Sequence, residues 1–492
     1  VIDPAISQDR ANERARWIWI GLLLLLALLP IPFGGNRPWA WSAMVLWVSI
    51  LLGGYALSTA LGHQMLVWRR ALTFPLVAIC LLIAWILFTI LPGTGFFHPV
   101  WQVASEAIGH PLPARMALSV DAALVGLMRL LAYMAIFWLS LQYCRDPKRA
   151  DHMLVWISWT GFLIALYGLV NYFAGNPYLL WFDRFAAQTD VTATFVNRNH
   201  YATFAGMGLL CSFGLAVTSF RAAWLLSDRS QKRFSRTIEC IIGRPLLYFV
   251  IMLVIGMAWL QAHSRMGTFS VLAGLAAMLL LMMATNLMRR RLAPWLFAAL
   301  VLALLFFVSG HATLARLGST SEIDRLPLFS VVVDQIASAP YTGSGYGSFA
   351  QSFAMYRDQR LPTAYTYLQA HNDYLELAAD LGIPAAALLL SAIAWCAALC
   401  FVAVFRRQRG QIYPIVAVAS TLTVALHALL DFSLQIPAVA ALYSAILGMG
   451  VAQSWSAEPK RHERANGKRA ISAHASARRD EPTREASASY DD

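Results

Sequence analysis

Apolar residues fall along this chain in about a dozen runs of roughly 20, the length at which a helix crosses the hydrocarbon core of a bilayer. The runs lie near 17–33, 39–60, 72–92, 118–144, 152–174, 199–220, 246–262, 267–286, 292–309, 382–405, 412–430 and 434–454. They predict an all-α polytopic membrane protein of about 12 transmembrane helices, since a helix satisfies its backbone polar groups within one segment. Residues 17–33 read as the first span, not as a cleavable leader, because no small-residue cleavage site follows. The organisation is then a short N-terminal segment (1–16), a membrane-embedded domain (17–455) and a tail (456–492). The tail is charged, rich in small residues and expected to be disordered.

One polar interval is too long to be a mere connection: the loop at about 310–373. Leu328, Val332 and Ile336 recur in it at helical spacing and predict a helix over 322–339 that Pro340 ends. GSGYGSF (343–349) predicts a glycine-rich turn, a second short helix follows over 348–360, and an extended stretch leads to His371. Tyrosines recur at 341, 346, 356, 365, 367 and 374. Part of a phosphate loop could be read into GSGYGSF, but no strand precedes it, so the turn is the better reading.

Only 13% of the residues are charged, about half the share usual in soluble domains. The net charge of +12 is a topology signal before it is anything else. Basic residues gather in alternate intervals: Arg10 to Arg16, Arg69 and Arg70, Arg145 to Arg149, the 221–245 loop, Arg289 to Arg291, and Arg406 to Arg409. By the positive-inside rule these face the cytoplasm, with both termini, and the 310–373 loop faces outward. The basic rim suits anionic lipid head groups, and no nucleic-acid partner is implied. The six cysteines (80, 144, 211, 240, 396, 400) avoid the outward loops, so no disulfide framework is expected.

Four polar motifs converge on the outward face. TFVNRNHYATF (194–204) sets Asn197, Arg198, Asn199 and His200 at the start of the sixth span, and HSRMG (263–267) sets Arg265 in a turn between two spans. His371, Asn372 and Asp373 begin the run HNDYLELAADLG, and HALLDFSLQIP places His427 and Asp431 one helical turn apart. Singly, each has a plainer reading. An arginine at a helix end snorkels, a histidine there makes a local hydrogen bond, and the His427–Asp431 pair joins helices.

Together they suit one chemistry. Two arginines offer bidentate, charge-assisted hydrogen bonds to a diphosphate and can stabilise the charge that develops as it leaves. Neutral histidine, whose pKa is ordinarily about 6.5, can take the proton of an attacking hydroxyl. Arg129 lies within a span, where an ionisable side chain is a functional candidate. It is expected to line a cavity for a lipid diphosphate or to pair with Asp121.

FVNRNHYATF, the SRMG turn, GSGYGSF, HNDYLELAADLGIP and HALLDFSLQIP stand in the order and spacing of the bacterial O-antigen ligase and polymerase superfamily, which the chain resembles over about residues 190–450. The resemblance implies a transferase at the periplasmic face of the inner membrane that moves glycan from undecaprenyl diphosphate to an acceptor hydroxyl. It implies an inverting displacement with no metal and no cofactor, His371 as base, and Arg198 and Arg265 as diphosphate ligands. Asn197, Asn199, His200, Asn372, Asp373, His427, Asp431, Arg129 and Arg325 are supporting candidates. Met266 departs from the family, where glycine often follows this arginine. The acceptor stays open among lipid A–core (a ligase), a growing glycan (an O-antigen or exopolysaccharide polymerase) and protein. A transporter of lipid-linked sugars is the alternative from another class.

Overall fold

In the computed structural model, residues 16–183, 190–227, 233–287, 325–362 and 366–455 are described. The expected span at 292–309, the first part of the long loop and the 456–492 tail lie outside them.

The helices follow the apolar runs closely. They are α1 (Arg16–Leu28), α2 (Pro38–Ala60), α3 (Thr73–Thr89), α4 (Val100–Ile108), α5 (Val120–Tyr143), α6 (Pro147–Phe173), α7 (Arg198–Leu226) and α8 (Arg233–Ile241). There follow α9 (Arg244–Leu260), α10 (Arg265–Ala284), α11 (Arg325–Ser338), α12 (Phe349–Phe353), α13 (Asp373–Leu381), α14 (Ile383–Arg406), α15 (Ile412–His427) and α16 (Pro437–Ala452). Among the described residues, 7 helical segments are long and apolar enough to cross a membrane, and α1, α9, α15 and α16 are shorter apolar helices. The chain is an all-α, multi-pass membrane protein.

Burial explains why the shorter helices still belong to the bundle. Every residue of α16 except Ser444 is buried, and it packs along α5 and α15. Small residues permit that approach: a Cβ on Gly448 would stand 2.4 Å from the Phe137 carbonyl oxygen, and one on Gly450 would stand 2.3 Å from the Ala417 side chain. The outer helices show the opposite pattern. Leu46 and Leu57 on α2, Leu81 on α3, Leu163 on α6 and Phe401 on α14 are all exposed, as expected where the surrounding solvent is hydrocarbon.

The long loop departs from its expected form at its second helix. Pro340 follows α11 as the sequence predicts, but the second helix is only Phe349–Phe353, not 348–360. Three glycines make the turn before it: Gly343, Gly345 and Gly347 all take positive φ (66°, 103°, 75°), where a side chain would be strained. The turn is tied to α13, with Gly345 N–H donating to the Asp380 carbonyl (2.9 Å) and Gly347 N–H to its carboxylate (2.7 Å). All six cysteines are free.

Candidate functional site

His371 sits on a stretch pinned from both sides. The Glu376 carboxylate accepts from Ala370 N–H (2.7 Å). Asn372 caps α13, its side-chain oxygen accepting from the Tyr374 and Leu375 N–H groups (both 3.0 Å) while its amide donates to the Leu429 carbonyl (2.8 Å). Asp373 N–H donates to the Ala428 carbonyl (3.0 Å). Between these anchors the stretch is not extended at His371 itself, which takes a φ of 52°. Such left-handed backbone costs a non-glycine residue about 1–3 kcal/mol and is held only where the surroundings over-determine it. The strained turn directs the His371 ring at Asp431: Nδ1 lies 3.6 Å from Oδ1, with the imidazole 33% exposed and the carboxylate fully buried.

The sequence places His427 and Asp431 one turn apart on a helix, and the structure corrects this. Helix α15 ends at His427, and Asp431 lies in the turn beyond, its N–H still reaching the His427 carbonyl at 3.1 Å. That turn frees Asp431 to collect partners from other elements. It accepts from Phe432 N–H (2.8 Å) and from the Asn199 side-chain amide, and His200 Nε2 lies 3.6 Å away. The Phe432 ring meets both imidazoles edge to face, His200 at 4.5 Å and His371 at 4.9 Å. Burial alone would raise the pKa of Asp431, but the two imidazoles outweigh burial and hold the carboxyl well below its ordinary range. His427 turns instead to Ser433 (3.0 Å), which also meets Thr203 (3.1 Å), so its link between elements runs through Ser433 and not through the expected pair with Asp431. Arg325, at the start of α11, donates to the Leu430 carbonyl beside Asp431.

A second cluster forms around Asp190, which no motif or spacing in the sequence singles out. Arg198, the first residue of α7, donates to one oxygen of Asp190 (2.5 Å) and His263 Nδ1 meets the other (2.9 Å). Asp190 is buried at this junction because Val191 N–H donates to the Gln261 carbonyl (2.9 Å), drawing the chain before α7 onto the turn between α9 and α10. Two caps set the arginines. Asn197 accepts from Asn199 N–H (2.8 Å), and Ser264 accepts from Gly267 N–H (3.1 Å), which makes Arg265 the first residue of α10 instead of a turn residue. His263 carries a positive φ of 49°. A carboxylate shared by an arginine and a histidine fixes both donors, and the Arg198 side chain stays 35% exposed, where its remaining N–H groups can face an anion.

Arg129 departs from the expected pairing with Asp121. Its guanidinium donates to the Gln435 carbonyl, approaches Tyr133 Oη (3.4 Å) and lies over the Trp41 ring at 5.2 Å. Gln435 in turn donates to Asp373 (3.3 Å), which also accepts from Leu434 N–H (3.4 Å). Asp373, Glu376 and Asp380 lie along one buried face of α13. Burial pushes Asp373 and Asp380 well above the usual carboxylate range and Glu376 up to about 7.

The structure thus brings His371, Asp431, His200, Asn199 and Arg325 into one cluster, sets Arg198 beside it, and leaves Asn197 and Asn372 as helix caps. Among the described residues, no group of three or more His, Cys, Asp or Glu side chains could hold a metal ion. A half-exposed imidazole backed by a buried carboxylate can accept a proton, and carboxylate-held guanidinium can bind an anion.

No curated protein matches the chain. Residues 247–390 match the family model Wzy_C, O-antigen ligase; the matched stretch contains Arg265, Arg325 and His371 to Asp373, while Arg198 and Asp431 lie outside it. Over that stretch, less than half of its length, the chain is similar to the O-antigen ligase family.

Proposed function

We propose that the protein transfers glycan from undecaprenyl diphosphate to an acceptor hydroxyl at the periplasmic face of the inner membrane, and that the acceptor is lipid A–core. The observation that carries the reading is the His371–Asp431 pair, 3.6 Å apart, with His371 on the matched stretch and Asp431 joined through Asn199 to the helix end that carries Arg198.

In this reading Nδ1–H of His371 faces Asp431, which leaves the Nε2 lone pair to take the acceptor proton. The acceptor oxygen bonds to the anomeric carbon as the bond to the diphosphate oxygen breaks, and the electron pair leaves with the diphosphate. A single displacement inverts the anomeric centre. Arg198 and Arg265 stabilise the departing charge by hydrogen bonds set before the reaction begins. The imidazolium formed is stabilised by the buried carboxylate of Asp431. Guanidinium groups supply what a divalent cation would otherwise supply, so the reaction proceeds without metal.

The test is reconstitution of purified protein with undecaprenyl-diphosphate glycan, with and without lipid A–core, read on a gel. Product that requires lipid A–core supports the ligase. Longer lipid-linked chains formed without it replace the ligase with a polymerase, and no product with either acceptor removes the transferase reading.

A further inference from the structure

The groove around Arg129 has the chemistry of a binding site that the transfer reaction above leaves unused. Its volume is about 450 Å³, and Trp41, Ser119, Asp121, Gly126, Arg129 and Gln351 are among its lining residues. That is within the ordinary range of ligand sites, about 300–1,000 Å³. The groove is built from distant pieces of chain. Helix α2 supplies Trp41, α5 supplies Asp121 to Arg129, and the glycine turn and α12 supply Gly347 and Gln351.

Arg129 holds the key charge. Among the described residues its partners are the Gln435 carbonyl, the Tyr133 hydroxyl and the Trp41 ring. None of these carries charge, so they hold the guanidinium in place without neutralising it. Nor does it stand at mid-bundle. It contacts the first turn of α2 and the Ser433–Gln435 turn, which puts it level with helix ends. Asp121 lies two turns toward the start of α5, about 12 Å along the helix, and Gln351 is exposed at the groove. An aromatic face, a carboxylate and an amide are the groups that bind sugar rings and hydroxyls. The charged guanidinium adds preference for an anion.

The groove is also tied to the reaction centre. Asp431 and Gln435 are two ends of one short turn: Asp431 meets His371, and Gln435 joins Arg129 to Asp373. The Arg198–Asp190–His263 cluster meets the Asp431 end through Asn199, leaving the Gln435 end for the other substrate.

We infer that this groove is an acceptor subsite for an anionic sugar, whose carboxylate or phosphate binds Arg129 while its hydroxyls meet Asp121 and Gln351. The inference rests on the transferase reading for the word acceptor, but the binding itself does not.

The test is a binding titration of the full-length protein in detergent by microscale thermophoresis. The probes are a glucuronate-terminated oligosaccharide, its glucose 6-phosphate-terminated analogue and the neutral glucose-terminated one. At least one anionic probe should bind about tenfold more tightly than the neutral probe, the scale of one charge-assisted hydrogen bond. Which of the two does so identifies the charge as carboxylate or phosphate, and equal binding of all three overturns the inference. Arg129→Gln should erase the preference, and its persistence would place the charge elsewhere. Should Arg129→Gln not remain monodisperse, Gln351→Glu at the exposed groove edge repels the anion instead; an unchanged preference there also overturns the site. Protein that binds the anionic probe yet joins no glycan removes the transferase reading and keeps the groove, whereas protein that transfers but shows no preference does the reverse.

Discussion

Nδ1 of His371 lies 3.6 Å from Oδ1 of Asp431, although the two residues belong to different motifs and only the turn after α15 brings them together. If His371 is the base, His371→Ala should lower transfer by about 10²–10⁴-fold, the usual worth of general-base catalysis. Asp431→Asn keeps the size but loses the charge that favours the imidazolium, and should lower kcat by about 10²-fold with little change in acceptor KM. Transfer assays on both variants, with monodispersity as the folding control, check this. Normal transfer by His371→Ala would remove the proposed base.

Asp190 makes a separate prediction. It holds Arg198 at 2.5 Å and His263 at 2.9 Å, so Asp190→Asn should release both donors. Hydrogen bonds to charged groups are worth about 1.5–3 kcal/mol. With the Arg198 side chain 35% exposed, solvent screening puts the loss of stability at the low end. The functional signature should be a donor KM raised about tenfold or more, consistent with one such bond, and a smaller change in kcat. Thermal unfolding and donor titration together decide it; an unchanged donor KM would make Asp190 a purely structural partner.

The particular residues show what could be read from the chain. The end of α11 was legible because Leu328, Val332 and Ile336 keep helical spacing and Pro340 follows them. Arg198 and Arg265 were legible as charged residues at the limits of apolar runs, although Arg265 was expected in the turn and begins α10 instead. Asp190 was not, because its partners lie 8 and 73 residues away and no periodicity links them. Arg129 stands out as a charge in an apolar run, but its carbonyl partner is 306 residues distant, so a local pairing with Asp121 was the only one that spacing could suggest. The left-handed turn at His371 likewise follows from bonds to Glu376, Leu429 and Ala428, and none of these is visible in the local sequence.

Glu376 should make stability fall as pH rises. Its folded pKa of about 7 lies above the ordinary value of 4.5, so between those values the folded state binds more protons than the unfolded one, and ∂ΔG/∂pH is negative. The stabilisation is whole below about pH 4.5 and is lost as pH climbs through about 7. Asp373 and Asp380 act with the same sign. Glu376→Gln removes this titration and keeps an oxygen for Ala370 N–H. It should be more stable than the parent at pH 8, by a few kcal/mol in order of magnitude, and nearly equal to it at pH 5. Thermal unfolding in detergent from pH 5 to 8 reads this directly, and parallel curves for the two proteins would refute it.

Gly382 separates α13 from α14 with φ 78° and ψ 156°, a region that glycine alone occupies readily. The space is closed as well: an added Cβ would stand 2.3 Å from the Tyr341 carbonyl oxygen and 2.9 Å from Thr342 N. The joint also carries Ile383 N–H to the Pro340 carbonyl (2.8 Å), so α11, α13 and α14 all meet there. Gly382→Ala must therefore adopt strained backbone and push the loop away, at a cost of about 1–3 kcal/mol for the conformation alone. Because α13 begins at the cap that fixes His371, the displacement should reach the site. The variant should melt earlier and transfer glycan more slowly. Gly53→Ala, on α2 with nothing within 4 Å of the added Cβ, should do neither. Equal behaviour of the two variants in melting and transfer assays would mean that the α13–α14 joint does not hold the loop in place.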